Sequence, residues 1–213
     1  MISLSRKFIF LHPPKTAGNS IQKLLLPFSD DQMVLSGHQD GIDRFNVAGK
    51  LTPHNHALLA DYAPNLGENL KNCQVVVSAR HPFARAVSFY FSPHRWLQQN
   101  QDGYVVNTAV WDEMTFRQLV KSIIPMTGFL SLQNGIRKPD HIIRFESLQS
   151  DLAAVFDALQ LPHEGDFPHA NATAAQSTQI AEILSNESLR DFVEDHFWAD
   201  MAFFNYPQFV FNG

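Results

Sequence analysis

The chain holds one cysteine, Cys73, in 213 residues. No intramolecular disulfide can form, which fits a reducing compartment. Charge is also sparse, at 17% of residues against 45% apolar. That balance excludes a disordered chain and predicts a compact globule with a sizeable core. Sixteen Lys and Arg against 21 Asp and Glu leave a net charge of −5. Nonspecific nucleic-acid binding is therefore not expected, and an anionic ligand would need a local basic site. No apolar run approaches the roughly 20 residues of a membrane span. Met1 to Lys7 leads straight into the first strand and leaves no room for a signal peptide. Repeats, low-complexity tracts and linkers are missing as well, so one domain over residues 1–213 is the expectation.

What is present is a set of short apolar runs. Phe8–Leu11 is unbroken and of strand length. Gln74–Arg80 carries a β-branched run without alternation, the pattern of a strand buried on both faces. His141–Phe145 is a third such run. Each precedes a helical pattern: Ile21, Leu24 and Leu25; then Ala86, Val87, Phe89 and Tyr90 after Pro82; then Leu148, Leu152, Val155, Phe156 and Leu159 within Glu146–Leu159. Three buried strands, each followed by a helix, predict a three-layer α/β/α sandwich with a mainly parallel central sheet. Further helices are expected from Ala57 to about Tyr62, from a Thr115 cap through Ser122, and over Gln179–Phe197 with a break near Asn186. Met33–Leu35 reads as a short strand. Gly37–Lys50, Gln98–Asp112, Pro125–Gly135 and Leu161–Ala175 read as loops, and Phe203–Gly213 as an aromatic tail.

Two motifs stand at strand ends. The first is His12-Pro13-Pro14-Lys15-Thr16-Ala17-Gly18-Asn19-Ser20. The prolines end the strand, Gly18 admits a close ligand, and Asn19 or Ser20 can cap the next helix. A strand–turn–helix aims N–H groups and a positive dipole end at one point, which suits a phosphate. Lys15, Thr16 and Ser20 add a charge and two hydroxyls there. The loop is not a Walker A sequence, because no glycine stands four residues before a Gly-Lys-Ser/Thr end. The second motif is Arg80-His81-Pro82-Phe83-Ala84-Arg85-Ala86-Val87-Ser88-Phe89-Tyr90. Ligands of open parallel sheets sit beyond the strands' carboxyl ends, so Lys15 and Arg80 should flank one crevice. Arg85 and Ser88 share a helix face, and an arginine with a hydroxyl suits a phosphate monoester.

The first motif resembles the His-x-Pro-Lys-Thr-Gly-Gly-Thr-Ser loop of sulfotransferases, with Ala17 in place of the first glycine and Asn19 in place of the threonine. The second resembles that family's Arg-(Asp/Asn/His)-Pro-x-x-Arg-x-x-Ser-x-Tyr segment, matched by Arg80, Pro82, Arg85, Ser88 and Tyr90. Ile142–Leu148 and Pro168-His169-Ala170-Asn171 look like its later segments. The resemblance runs from Phe8 to Tyr206 and is closest to the bacterial branch of the family-2 type, whose better-known relatives sulfate carbohydrates.

The resemblance implies a P-loop-like sulfotransferase fold. It also implies 3′-phosphoadenosine 5′-phosphosulfate as donor, adenosine 3′,5′-bisphosphate as product, no required metal, and an acceptor hydroxyl on a saccharide. Lys15, Thr16, Ala17, Gly18, Asn19 and Ser20 would hold the 5′-phosphosulfate, with Lys15 also neutralising the bridging oxygen. Arg80 and Ser88 would hold the 3′-phosphate, with Arg85 joining them or bracing the loop. The family's histidine base corresponds to His54-Asn55-His56, and imidazole titrates near neutrality. His54 is favoured, His56 is its partner or substitute, and His38 is a third candidate. A metal pair at His54 and His56 lacks further ligands, since no spacing ties His163 or His169 to it.

Eukaryotic members of the family that this chain resembles are commonly membrane-anchored in the Golgi; without such an anchor a soluble, cytoplasmic, bacterial version is expected. Rival readings are a divergent P-loop nucleotide kinase or nucleoside triphosphatase, and a non-catalytic nucleotide-binding module of the same fold. Trp96, Tyr104 and Trp111 either stack on a sugar or pack. Nothing in the sequence selects an acceptor or an oligomeric state.

Overall fold

The computed structural model describes residues 1–35, 45–100, 103–163, 167 and 178–211. In chain order the first elements are β1 (Ile2–Ser3), β2 (Phe8–Leu11), α1 (Gly18–Leu25), β3 (Gln32–Leu35), β4 (Phe45–Ala48), α2 (Leu59–Leu66), β5 (Gln74–Ala79) and α3 (Pro82–Tyr90). Then follow β6 (Leu97–Asn100), β7 (Gly103–Val106), α4 (Glu113–Ser122), β8 (Ser131–Leu132), β9 (Gly135–Ile136), β10 (His141–Arg144), α5 (Leu148–Ala158), α6 (Thr178–Leu184), α7 (Glu187–His196) and α8 (Trp198–Phe204). They fall into two compact units. One comprises Met1–Val34, Phe45–Arg80 and Pro125–Ala172; the other Leu35–Arg44, His81–Ile124 and Thr173–Gly213.

The first unit contains the central sheet, of order β1-β2-β5-β10. β2, β5 and β10 are parallel, and β1 adds an antiparallel edge. Phe10 lies beside Val76, and Ile143 beside Ser78. Alternation then sorts the side chains by face. Phe8, Phe10, Val76 and Ile143 pack with Ile21 and Leu25 of α1 and with Leu148, Leu152, Val155 and Phe156 of α5. Ile9, Leu11, Val75 and Val77 point the other way and are equally buried. Burial on both faces is why β2 and β5 read as continuous apolar runs, while β10, at the edge, is buried only at Ile143. The mixed α/β class with a mainly parallel central sheet is as expected.

The second unit is built on α3. Phe83, Ala86, Val87 and Tyr90 pack against Phe116 and Val120 of α4, Ile183 of α6, and Leu189 and Val193 of α7. The Tyr90 hydroxyl donates to the Val110 carbonyl at 2.7 Å and accepts from the Asp112 amide at 2.9 Å. Tyr90 is thus a core strut. Trp96 donates from its indole to the Tyr90 carbonyl, and Trp111 packs edge-on to the Tyr90 ring. Both tryptophans therefore serve packing.

Several local expectations need correction. Neither Asn19 nor Ser20 caps α1: Ala17 does, in a left-handed conformation and without a side-chain bond. Asp112, not Thr115, caps α4, its carboxylate accepting from the Thr115 amide. α2 starts two residues later than read and runs through Pro64 to Leu66. Pro64 and Ala60 are both exposed, so water can serve the carbonyl that the proline leaves. β4 interrupts the expected Gly37–Lys50 loop; residues 36–44 lie outside the described part, His38 among them. Gln98–Asp112, read as a loop, holds most of the antiparallel β6–β7 pair. A separate turn, Phe145–Ser147, precedes α5. The break near Asn186 is present, and its side chain caps α7.

Candidate active site

The loop after β2 turns its carbonyls inward. Thr16 is fully buried, and its hydroxyl donates to the Pro13 carbonyl at 2.6 Å. That donation uses its single proton, so Ser78 is the donor in the 2.6 Å contact between the two hydroxyls. The Thr16 hydroxyl is therefore part of the loop's foundation, not of its outer face. The His12 carbonyl is held by Nδ1 of His56 at 2.8 Å, and the Lys15 carbonyl accepts from Nη1 of Arg80 at 3.4 Å. Lys15 and Ala17 both adopt left-handed backbone, with φ of 71° and 66°. Such conformations cost about 1–2 kcal/mol for a residue with a Cβ and mark a backbone held by its surroundings. Three carbonyls of the loop are thus engaged, and the α1 N-terminus that follows is an end suited to an anion. Lys15, Ala17, Asn19 and Ser20 are half-buried around that end.

Gly18 has a steric reason. A Cβ there would lie 1.7 Å from Cδ2 of His12. The His12 ring, 4% exposed, lies between Phe10, at 6.3 Å between centroids, and His56, at 4.6 Å. Gly18→Ala should drive this ring aside, destabilise the fold by about 1–3 kcal/mol on the scale of overpacking, and weaken binding of phosphate-bearing ligands. In a His12→Ala background the same change should cost little, as a urea-denaturation double-mutant cycle would detect.

Two histidines stand beside the loop in different states. His54 is exposed, and its Nδ1 accepts the His56 backbone N–H at 3.2 Å. His56 is half-buried against His12. A carbonyl can only accept, so Nδ1 of His56 carries the proton on the His12 carbonyl. In neutral His56 the lone pair then sits on Nε2. Neutral His54 has the opposite tautomer, with its lone pair already engaged. Asn55 between them secures the turn to β4, accepting from the Val47 amide and donating to the Asn46 side chain.

Arg80 follows β5, and the second motif continues into the other unit. There Arg85 is 2% exposed and donates from both terminal nitrogens to the Ile124 carbonyl, at 3.1 and 3.2 Å. Burial pulls its pKa down to about 10, while the buried Asp200 carboxylate opposes the fall. This is the geometry of a brace. Arg85→Ala should destabilise the protein by about 1.5–3 kcal/mol in urea unfolding, since it removes the charged donor from the Ile124 carbonyl. Unchanged stability with collapsed nucleotide binding would instead make Arg85 a ligand. Ser88 is half-buried on α3. His81 caps α3 by accepting the Phe83 amide, and its Nε2 donates to the Pro207 carbonyl at 3.0 Å.

Among the described residues no group of three or more His, Cys, Asp or Glu could hold a metal. No helix there is long and apolar enough to cross a membrane. His169 lies outside the described residues, and His163 stacks on Phe167 at 3.8 Å.

In a parallel α/β sheet, the turn beyond the first long strand, leading into a helix N-terminus, is where ligands of such sheets sit. The sulfotransferase family model matches residues 1–207, and the chain belongs to that family. No curated protein and no solved structure matches it.

Proposed function

We propose that this sulfotransferase takes its sulfuryl group from 3′-phosphoadenosine 5′-phosphosulfate and passes it to a hydroxyl, on a saccharide, with His56 as proton acceptor. The observation that carries the reading is the loop whose carbonyls are bound by Thr16, His56 and Arg80, leaving an outer face suited to an anion. Left-handed Lys15 and Ala17 and a Gly18 with no room for a Cβ fit a 5′-phosphosulfate end. The bound donor supplies the sulfuryl group, which needs no metal because its charge is lower than that of a phosphoryl group. The loop and the start of α1, Lys15 to Ser20, hold that end, with Thr16 contributing through its backbone. The Lys15 ammonium neutralises charge growing on the bridging oxygen. Arg80 takes the 3′-phosphate, and Ser88 has the same assignment on the motif alone. Arg85 braces.

His56 displaces His54 in this reading because its orientation is set by the His12 carbonyl at the foot of the loop, whereas His54 is exposed. One domain spanning both units belongs to the proposal, supported by a family match that runs across both. A reducing, cytoplasmic setting belongs to it too, on the lone Cys73. The test is a thermal-shift series with a turnover assay. Adenosine 3′,5′-bisphosphate should raise the melting temperature and ATP–Mg²⁺ should not. Labelled donor with a saccharide panel should release the bisphosphate in step with acceptor sulfation. A shift with ATP–Mg²⁺ alone would overturn the reading.

A further inference from the structure

A third strand end reaches the site, and neither motif accounts for it. β10 runs beside β5 with Arg144 opposite Ala79. The next residues, Phe145 and Arg80, therefore emerge at the same sheet edge. The guanidinium carbon of Arg80 lies 3.9 Å from the centroid of the Phe145 ring. This is well inside the range of a cation–π contact. The turn that carries the ring is itself fastened: Asp151 Oδ2 accepts from the Arg144 amide at 2.8 Å and from the Ser147 hydroxyl at 2.9 Å.

We infer that Phe145 is a positioning residue for Arg80, holding the guanidinium so that it meets the 3′-phosphate already oriented. The inference rests on the assignment of Arg80 made above. An aromatic face suits this task better than a carboxylate would. It restrains a flexible cation without cancelling the charge that the anion must feel. Restraint before binding lowers the ordering cost when the anion arrives. Arg80 also donates to the Lys15 carbonyl, so the ring steadies one phosphate loop against the other.

The test uses three variants of the full chain. Phe145→Leu and Phe145→Met remove the ring and keep apolar bulk; Phe145→Tyr keeps the ring. Calorimetric titration compares adenosine 3′,5′-bisphosphate with adenosine 5′-monophosphate, and a melting curve checks each fold. The ring-free variants should weaken the bisphosphate roughly five- to tenfold and the monophosphate less than about twofold. Tyr should restore the wild-type ratio. Equal weakening of both nucleotides, no weakening, or failure of Tyr to rescue would overturn the role of Phe145. A wild-type protein with no preference for the bisphosphate would instead remove the 3′-phosphate from Arg80, and the role of Phe145 with it.

Discussion

Lys15→Ala is expected to cut turnover by about two orders of magnitude or more, the scale of losing one donor aimed at developing charge. Its effect on binding of the bisphosphate product should be much smaller. The expectation follows from where Lys15 stands. It is half-buried in a loop whose carbonyls at His12 and Pro13 are engaged, and its own carbonyl is bound by Arg80. Its left-handed backbone is part of that arrangement. Alanine at 15 retains the loop's N–H groups and loses only the side chain. The ground state therefore keeps most of its contacts, while charge growing on the bridging oxygen loses its counter-charge. Lys15→Arg is a useful companion, because a planar fork replaces a point charge and should recover only part of the rate. Single-turnover kinetics beside titration calorimetry would separate the two effects. Turnover of Lys15→Ala within a few-fold of wild type, or a binding loss as large as the rate loss, would contradict the assignment.

The parts of this site that could be read from the sequence are those that local chemistry dictates. β2 and β5 were legible because burial on both faces leaves little room for alternation in Phe8–Leu11 and Gln74–Ala79; β10, His141–Arg144, is buried only at Ile143 and was legible by its apolar centre. The loops beyond β2 and β5 were legible because prolines, a glycine and cations mark them. What escaped depends on partners far away in the chain. The Thr16 hydroxyl faces inward because of Ser78, 62 residues on. Arg85 and Arg80 carry the same chemistry in the motif, yet Arg85 is buried on the Ile124 carbonyl, 39 residues on. Phe145 looked like the last residue of a strand and became a platform only when β10 took its place beside β5. The β6–β7 hairpin was hidden for a different reason: exposed Gln98, Val105 and Val106 give no buried face to read.

The proposal of His56 over His54 is of the same kind, since it rests on a carbonyl 44 residues earlier in the chain. A general base must be neutral and must offer a lone pair. Removing one is typically worth ~10²–10⁴ in rate. His56→Ala should lose activity on that scale, with cofactor affinity changed only a few-fold. Alanine also removes the bond to His12, so a second substitution is needed. In His56→Asn the side-chain amide can still donate to the His12 carbonyl but cannot accept a proton at neutral pH. It should keep the melting temperature and the bisphosphate affinity, yet be as inactive as His56→Ala. The pH profile adds an independent reading. Wild-type turnover should fall toward acid as the imidazole protonates, and the residual activity of His56→Asn should lack that limb. His54→Ala removes one acceptor from an exposed turn and should stay within about tenfold of wild type, with the acidic limb intact. An active His56→Asn, or a dead His54→Ala that has lost the acidic limb, would return the role to His54; if both single variants stay active, His38 is the next to substitute.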